Sequence, residues 1–174
     1  GYASFSKPLS SGKHAGELRL FALYYHDWRN VLKTDNRPAA ARTADRANIR
    51  IGTFGGHYVH AAETPVGTLD FLFWGAAQTG RWGAQNHRAG AVAVEGGYQP
   101  CAKCTLKPWL RAGFFHGSGD SDPRDGSHNT FFQVLPTPRI YAQFPFYNLM
   151  NNQDLFTTLG VRPHKALTAS GGVH

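Results

Sequence analysis

Connections of sharply unequal length cut this chain into segments that read in twos. Runs with strand-like alternation occupy about 15–28, 46–62, 67–82, 87–99, 106–117, 152–162 and 166–174, with long connections at 29–45 and 118–151 and short ones at 63–66, 99–105 and 163–165. In an antiparallel meander every second connection falls on the same side, so unequal lengths mark two unlike ends. A barrel that crosses a boundary has this form, with tight turns on one side and longer loops on the other. The expectation is an all-β chain: an antiparallel up-and-down meander of about seven strands, forming one segment of a larger transmembrane β-barrel.

Strand length supports this. Crossing a bilayer takes about nine to eleven tilted residues, and five of the seven runs exceed that length, whereas ordinary strands average about five or six. Successive strand residues point to opposite faces. Leu69, Phe71, Phe73 and Ala77 share one face, and Asp70, Leu72, Trp74 and Gln78 share the other. Leu155, Leu159 and Val161 oppose Asp154, Thr158 and Arg162, and Leu110, Ala112 and Phe114 oppose Trp109, Arg111 and Phe115. In the second run Ile49, Ile51, Val59 and Ala61 oppose Asn48, Arg50, Gly52 and His60. The polar faces thus carry single charges of both signs: Arg19, Arg50, Asp70, Glu95, Arg111, Asp154 and Arg162. In a barrel they line the lumen; in a soluble β-sandwich the same face is merely solvated. Trp28, Trp82, Tyr58, Tyr98 and Trp109 lie near strand ends, where amphipathic rings settle at a membrane interface.

No run of eighteen apolar residues exists, so a helical span is excluded. Strands escape that test, because only alternate residues meet lipid. The net charge of +7 points to an anionic partner. Its basic residues are scattered, with Arg19, Arg50, Arg81, Arg111 and Arg162 sitting singly within strands, so no nucleic-acid interface is expected. No nucleophile elbow, phosphate loop, HExxH or complete zinc motif occurs, and the chain is read as a non-enzyme. Cys101 and Cys104 form a single CxxC, half of what tetrahedral zinc needs; the bland reading is a turn with two thiols, open to a small disulfide in an oxidising compartment. Gly1 opens the chain, and both ends fall in strand-like sequence, as expected of a piece of a longer protein.

The loops carry two further candidates. Residues 29–45 are polar, without strand alternation, as in an exposed loop. In 117–129, Asp120, Asp122 and Asp125 precede Gly126, a fragment of a calcium-loop pattern; Pro123 and the missing later glutamate depart from it, and a solvated acidic loop is the alternative. No other cofactor is expected. Residues 131–150 hold six aromatics, three prolines and the central Arg139. Proline bars the segment from central pairing, while its apolar content demands a surface to fold against. The long connection 118–151 is therefore a candidate constriction of a lumen, or a cap over a soluble core.

The stretch PWLRAGFFHGSGDSDPRDGSHNTFFQVLPTPRIYAQFPFYNLMNNQDLF, residues 108–156, resembles the corresponding part of the bacterial alginate export family of outer-membrane proteins, closest to its broad, largely uncharacterised branch. The resemblance implies a monomeric barrel of about eighteen strands in the intact protein, set among outer-membrane lipid, that passes an anionic solute or polysaccharide through an arginine-rich lumen. Carried over by position, Arg50, Arg111 and Arg162 become the substrate-pathway residues, and Arg139 belongs to the constriction. The competing reading is a soluble β-sandwich that binds a ligand or carbohydrate through the aromatics of 131–147.

Overall fold

The computed structural model describes residues 1–100, 104–134 and 149–174. Alternation of the kind above suits a backbone whose side chains reverse face at each step, and the long runs become strands. The order is β1 (Tyr2–Pro8), β2 (His14–Asp27), a short helix α1 (Ala39–Ala44), β3 (Ile49–Thr64), β4 (Gly67–Trp82), β5 (Gln85–Gln99), β6 (Trp109–Gly117), β7 (Ser127–His128), β8 (Asn152–His164) and β9 (Leu167–Val173). Eight of them form one antiparallel meander in chain order, and the two-residue β7 adds alongside β5 in parallel. All nine lie in a single sheet, so the described residues contain no second sheet of a sandwich. β1, anticipated only as a strand end, pairs with β2 over its whole length.

The connections differ from expectation at one place. Trp82 pairs with Gln85, leaving only Gly83 and Ala84 between β4 and β5. This tight turn lies at the same end as the two long connections, 28–48 and 118–151. Gly83 has φ +61° and Ala84 has no positive φ, the pattern of a II′ hairpin, whose first central residue favours glycine. A Cβ on Gly83 would also run into the Asp45 carboxylate.

The two faces of the sheet are unlike. Across β2 to β6 and β8, the residues facing one way include Leu20, Phe54, Phe71, Phe73, Phe114 and Leu155, all exposed. Between the cross-strand rows of Ala22–Phe54–Ala77 and Ala62–Leu69–Tyr98 these six strands bear no Asp, Glu, Lys or Arg on the open face, while the edge strand β1 places Lys7 there, opposite Leu18. Polar side chains of the six pair with one another, His14 with His60 (3.2 Å) and Gln153 with His116 (3.1 Å).

The opposite face is covered by the long connections, and the core lies there. Ala76, Ala91, Ala93 and Phe115 pack with Phe131 of the second long connection. Ile49, Ile51 and Trp82 pack with Tyr25, Val31 and Phe132. Apolar residues near the long-loop end therefore face the covered side, because there they have loops to pack against. Trp82 and Trp109 turn to this side too, rather than joining a belt with Tyr58 and Tyr98 on the open face.

The polar connection 28–48 is largely exposed, as expected, but a few of its side chains are not. Lys33 and Asp45 are buried, and the Asp35 side chain is fully enclosed.

Candidate functional site

Strand parity places Arg19, Asp70, Glu95, Arg111, Asp154 and Arg162 together on the covered face, as the alternation predicts. Arg50 is the exception. It follows Ile49 and precedes Ile51, both buried on the covered face, so its own side chain projects from the open face, opposite Arg81 on β4. The expectation of one shared face fails at Arg50 because Ile49 and Ile51 marked the wrong side as open: they sit beneath a loop. Arg139 lies outside the described residues, as does Cys101; Cys104 is disulfide-bonded.

The charges on the covered face are not isolated. Arg111 donates to both Glu95 on β5 and Asp70 on β4. Trp109 donates its indole N–H to Asp70 at 3.0 Å and lies under the Arg111 guanidinium, 4.8 Å from the ring centroid. Gly97, between these strands, makes the room; a Cβ there would meet the Asp70 carboxylate. Arg19 pairs with Glu17 at 2.9 Å and donates to Ser6 at 2.8 Å, and His57 approaches the same Glu17 at 3.2 Å. Arg162 differs. It sits at the short-turn end, exposed, donating to the Lys165 carbonyl at 2.8 Å, while its backbone N–H donates to Leu106 O at 2.7 Å. That contact sets Lys107 beside it, and both line a surface cleft with Trp109.

The second long connection enters the covered face through Gln78. The Gln78 amide donates to Thr53 (3.1 Å) and to the Phe132 carbonyl (2.8 Å), and its oxygen accepts the Phe132 N–H (2.8 Å). Residues 131–134 thereby form one wall of a cavity of about 490 Å³ whose other sides include Phe21, Trp74, His57, Glu95 and Phe115. Sequence reasoning named the aromatics of this connection and put Gln78 on the polar face, but gave it no role; its only signal is a glutamine among small and apolar residues on the strand's inner parity.

At the long-loop end, a polar latch joins both long connections over the Gly83 turn. Arg37 bridges Asp35 (2.8 Å) and Asp45 (3.0 Å); Trp82 donates to Asp35 (3.1 Å); Asp45 also accepts the Ala84 N–H (3.0 Å) and Lys33 donates to its carbonyl (3.2 Å). Burial raises the Asp35 and Asp45 carboxyls, but hydrogen bonds outweigh it and hold both below the usual range: chiefly from Arg37 at Asp35, and from the Ala84 amide and Arg37 at Asp45. His128 stacks on Trp82 with ring centroids 4.5 Å apart and meets His87 nitrogen to nitrogen at 2.8 Å. Burial pushes the His128 imidazole down to about 4, with Asp35 opposing and Arg37 adding to the shift.

Asp120, Asp122 and Asp125 do not converge. Each turns back on its own loop, accepting the backbone N–H of Asp122 (3.3 Å), Arg124 (2.9 Å) and Ser127 (2.7 Å) respectively. Among the described residues no group of three or more His, Cys, Asp or Glu side chains could hold a metal ion.

No helix among the described residues is long and apolar enough to cross a membrane, which leaves crossing by strands untouched. Searches of curated proteins and of solved structures found no match. The family model described as alginate export matches residues 5–174, nearly the whole chain, in a transporter family rather than an enzyme class. A single meandering sheet, with charges and long connections on one face and an apolar surface on the other, agrees with that match, and the chain belongs to the alginate export family.

Proposed function

We propose that this chain forms part of the wall of an outer-membrane conduit for an anionic polysaccharide or a smaller anionic solute. The observation that carries the reading is the inversion of the two faces. The uncovered face is apolar over nine residues of β4, Leu69 to Ala77, about what a tilted strand needs to cross hydrocarbon. The covered face holds the charges. A soluble sandwich would reverse this assignment, burying the apolar face against a second sheet.

Two elements of the pathway follow. At the short-turn end, Lys107 and Arg162 form a cationic mouth that attracts a carboxylate polymer. Further in, Asp70 and Glu95 hold Arg111 in position and outweigh its single charge, so that the group passes a carboxylate without trapping it. Permeation requires such balance, since a site must be favourable enough to enter and weak enough to leave. The 131–134 wall, pinned by Gln78, is the described part of the proposed constriction.

Planar-bilayer recordings on the full-length protein test this through opposed signs. Arg162→Gln should lower the preference for anions; a unit charge 4 Å from the path contributes about 1 kcal/mol in water. The double substitution Asp70→Asn with Glu95→Gln should raise that preference by freeing Arg111. Identical selectivity in all three proteins would remove these residues from the path.

A further inference from the structure

Register assembles on the open face something that linear spacing does not show. Arg50 on β3 stands directly opposite Arg81 on β4. Arg81 in turn stands opposite Asn86 on β5, and Arg88 lies two residues further along that strand, opposite Thr79. Parity sends all four side chains out of the open face, and all are exposed. Side chains directly opposite one another have Cβ atoms about 4.5–5.5 Å apart, and diagonal neighbours about 7–8 Å, so three guanidinium groups can reach one small headgroup.

These arginines lack the partners that others have. Arg19, Arg29, Arg37 and Arg111 each form an ion pair with a carboxylate. Among the described residues Arg50, Arg81 and Arg88 form none, and the one side-chain bond within the group is Arg81 to Asn86 at 2.6 Å. Like charges directly opposite each other destabilise a sheet, so the apo arrangement favours an anion that bridges them. The position narrows the anion further. Tyr24 and Phe54 lie immediately below, half exposed, at the edge of the charge-free band, and the cluster sits at the long-loop end, which in barrels of this kind faces outward.

We propose that Arg50, Arg81 and Arg88 form a binding site for the phosphorylated headgroup of an outer-leaflet glycolipid, whose acyl chains lie along the apolar band beneath. Guanidinium groups suit this chemistry because they pair phosphate oxygens two at a time. The inference rests on the membrane reading above and adds a specific lipid contact to it.

The test uses the full-length protein in neutral detergent, titrated with bis-phosphorylated lipid A, with its dephosphorylated form, and with inorganic phosphate alone, read by tryptophan fluorescence. Saturable binding of the phosphorylated lipid is expected, weakened about tenfold or more in R50Q/R81Q/R88Q and only partly restored in the corresponding triple lysine protein, which keeps the charge but not the two-point pairing. If the triple glutamine protein does not fold, Arg81→Gln alone serves, since Arg81 is the centre of the group. Equal binding by the glutamine protein, equal binding of the dephosphorylated lipid, or inorganic phosphate competing as well as the lipid would each overturn the site. A protein that stays monodisperse without detergent would overturn the membrane reading itself, which separates the two failures.

Discussion

Gln78 shows how one side chain can decide where a long connection goes. Its amide satisfies both the N–H and the C=O of Phe132, at 2.8 Å each, from a buried position on β4. Replacing it by leucine keeps the volume but strands two backbone groups, and each unsatisfied buried group costs about 1–3 kcal/mol. Gln78→Leu should therefore release residues 131–134 from the sheet. Faster amide exchange at Phe132, with exchange in β3 and β4 unchanged, is the expected outcome; protection as in the parent protein would mean the aromatic contacts of Phe131 and Phe132 hold the segment unaided. At this scale the sequence is only partly legible. Alternation places six of seven charges on the correct face, because parity survives wherever a strand is regular. It misplaces Arg50, since whether isoleucine marks the open or the covered face depends on which face a distant loop chooses to cover. It also reads Arg111 as isolated, because Asp70 and Glu95 approach it only through register across three strands.

At the scale of elements, the 28–48 connection looks hydrophilic in the sequence yet is partly buried, because its charges satisfy one another rather than water. That arrangement makes the latch sensitive to acid in two windows. His128 titrates near 4 in the folded protein against about 6.5 when released. Its neutral form is favoured by the fold, so the contribution is intact above about 6.5 and is lost as pH falls towards 4. Asp35 and Asp45 are held below the usual carboxylate value of 3.8; their contribution is intact above that value and disappears as pH falls through their lowered folded values. Proteolysis within 28–48 should thus accelerate first between about pH 6.5 and 4 and again below it. His128→Gln should blunt the first step only, leaving in that window the share of His87, which burial likewise pushes down to about 4. A single step confined to the acid end would show that His128 does not couple to the latch.

For the whole molecule, the assignment of faces is the claim most open to direct challenge. Phe73 sits at mid-height of the open face, in a row with Tyr58, Val94, Phe114 and Leu155. An arginine on the lipid face of a barrel at the bilayer midplane costs about 2–4 kcal/mol. Phe73→Arg should reduce insertion of the full-length protein into phosphatidylcholine vesicles by about that free energy in a reversible folding titration. Insertion as efficient as the parent's would show that lipid does not meet this face. The meander and its strand limits were readable within a few residues, since long alternating runs leave little choice. The β4–β5 turn was blurred, because the period of two runs almost unbroken through Gly83 and Ala84.

That turn governs more than a change of direction. Gly83 and Ala84 lie between two tall neighbours, and the Ala84 amide seats Asp45 while Trp82 seats Asp35 and His128. The wall of the sheet is notched there, and both overhangs rest in the notch. Its depth is set first by the two-residue length of the turn. In the proposed conduit, aperture at this end would be a matter of chain length: the same strands with a longer hairpin would raise the sill, lift both overhangs from their seat, and widen the opening without a change in any residue proposed to line it.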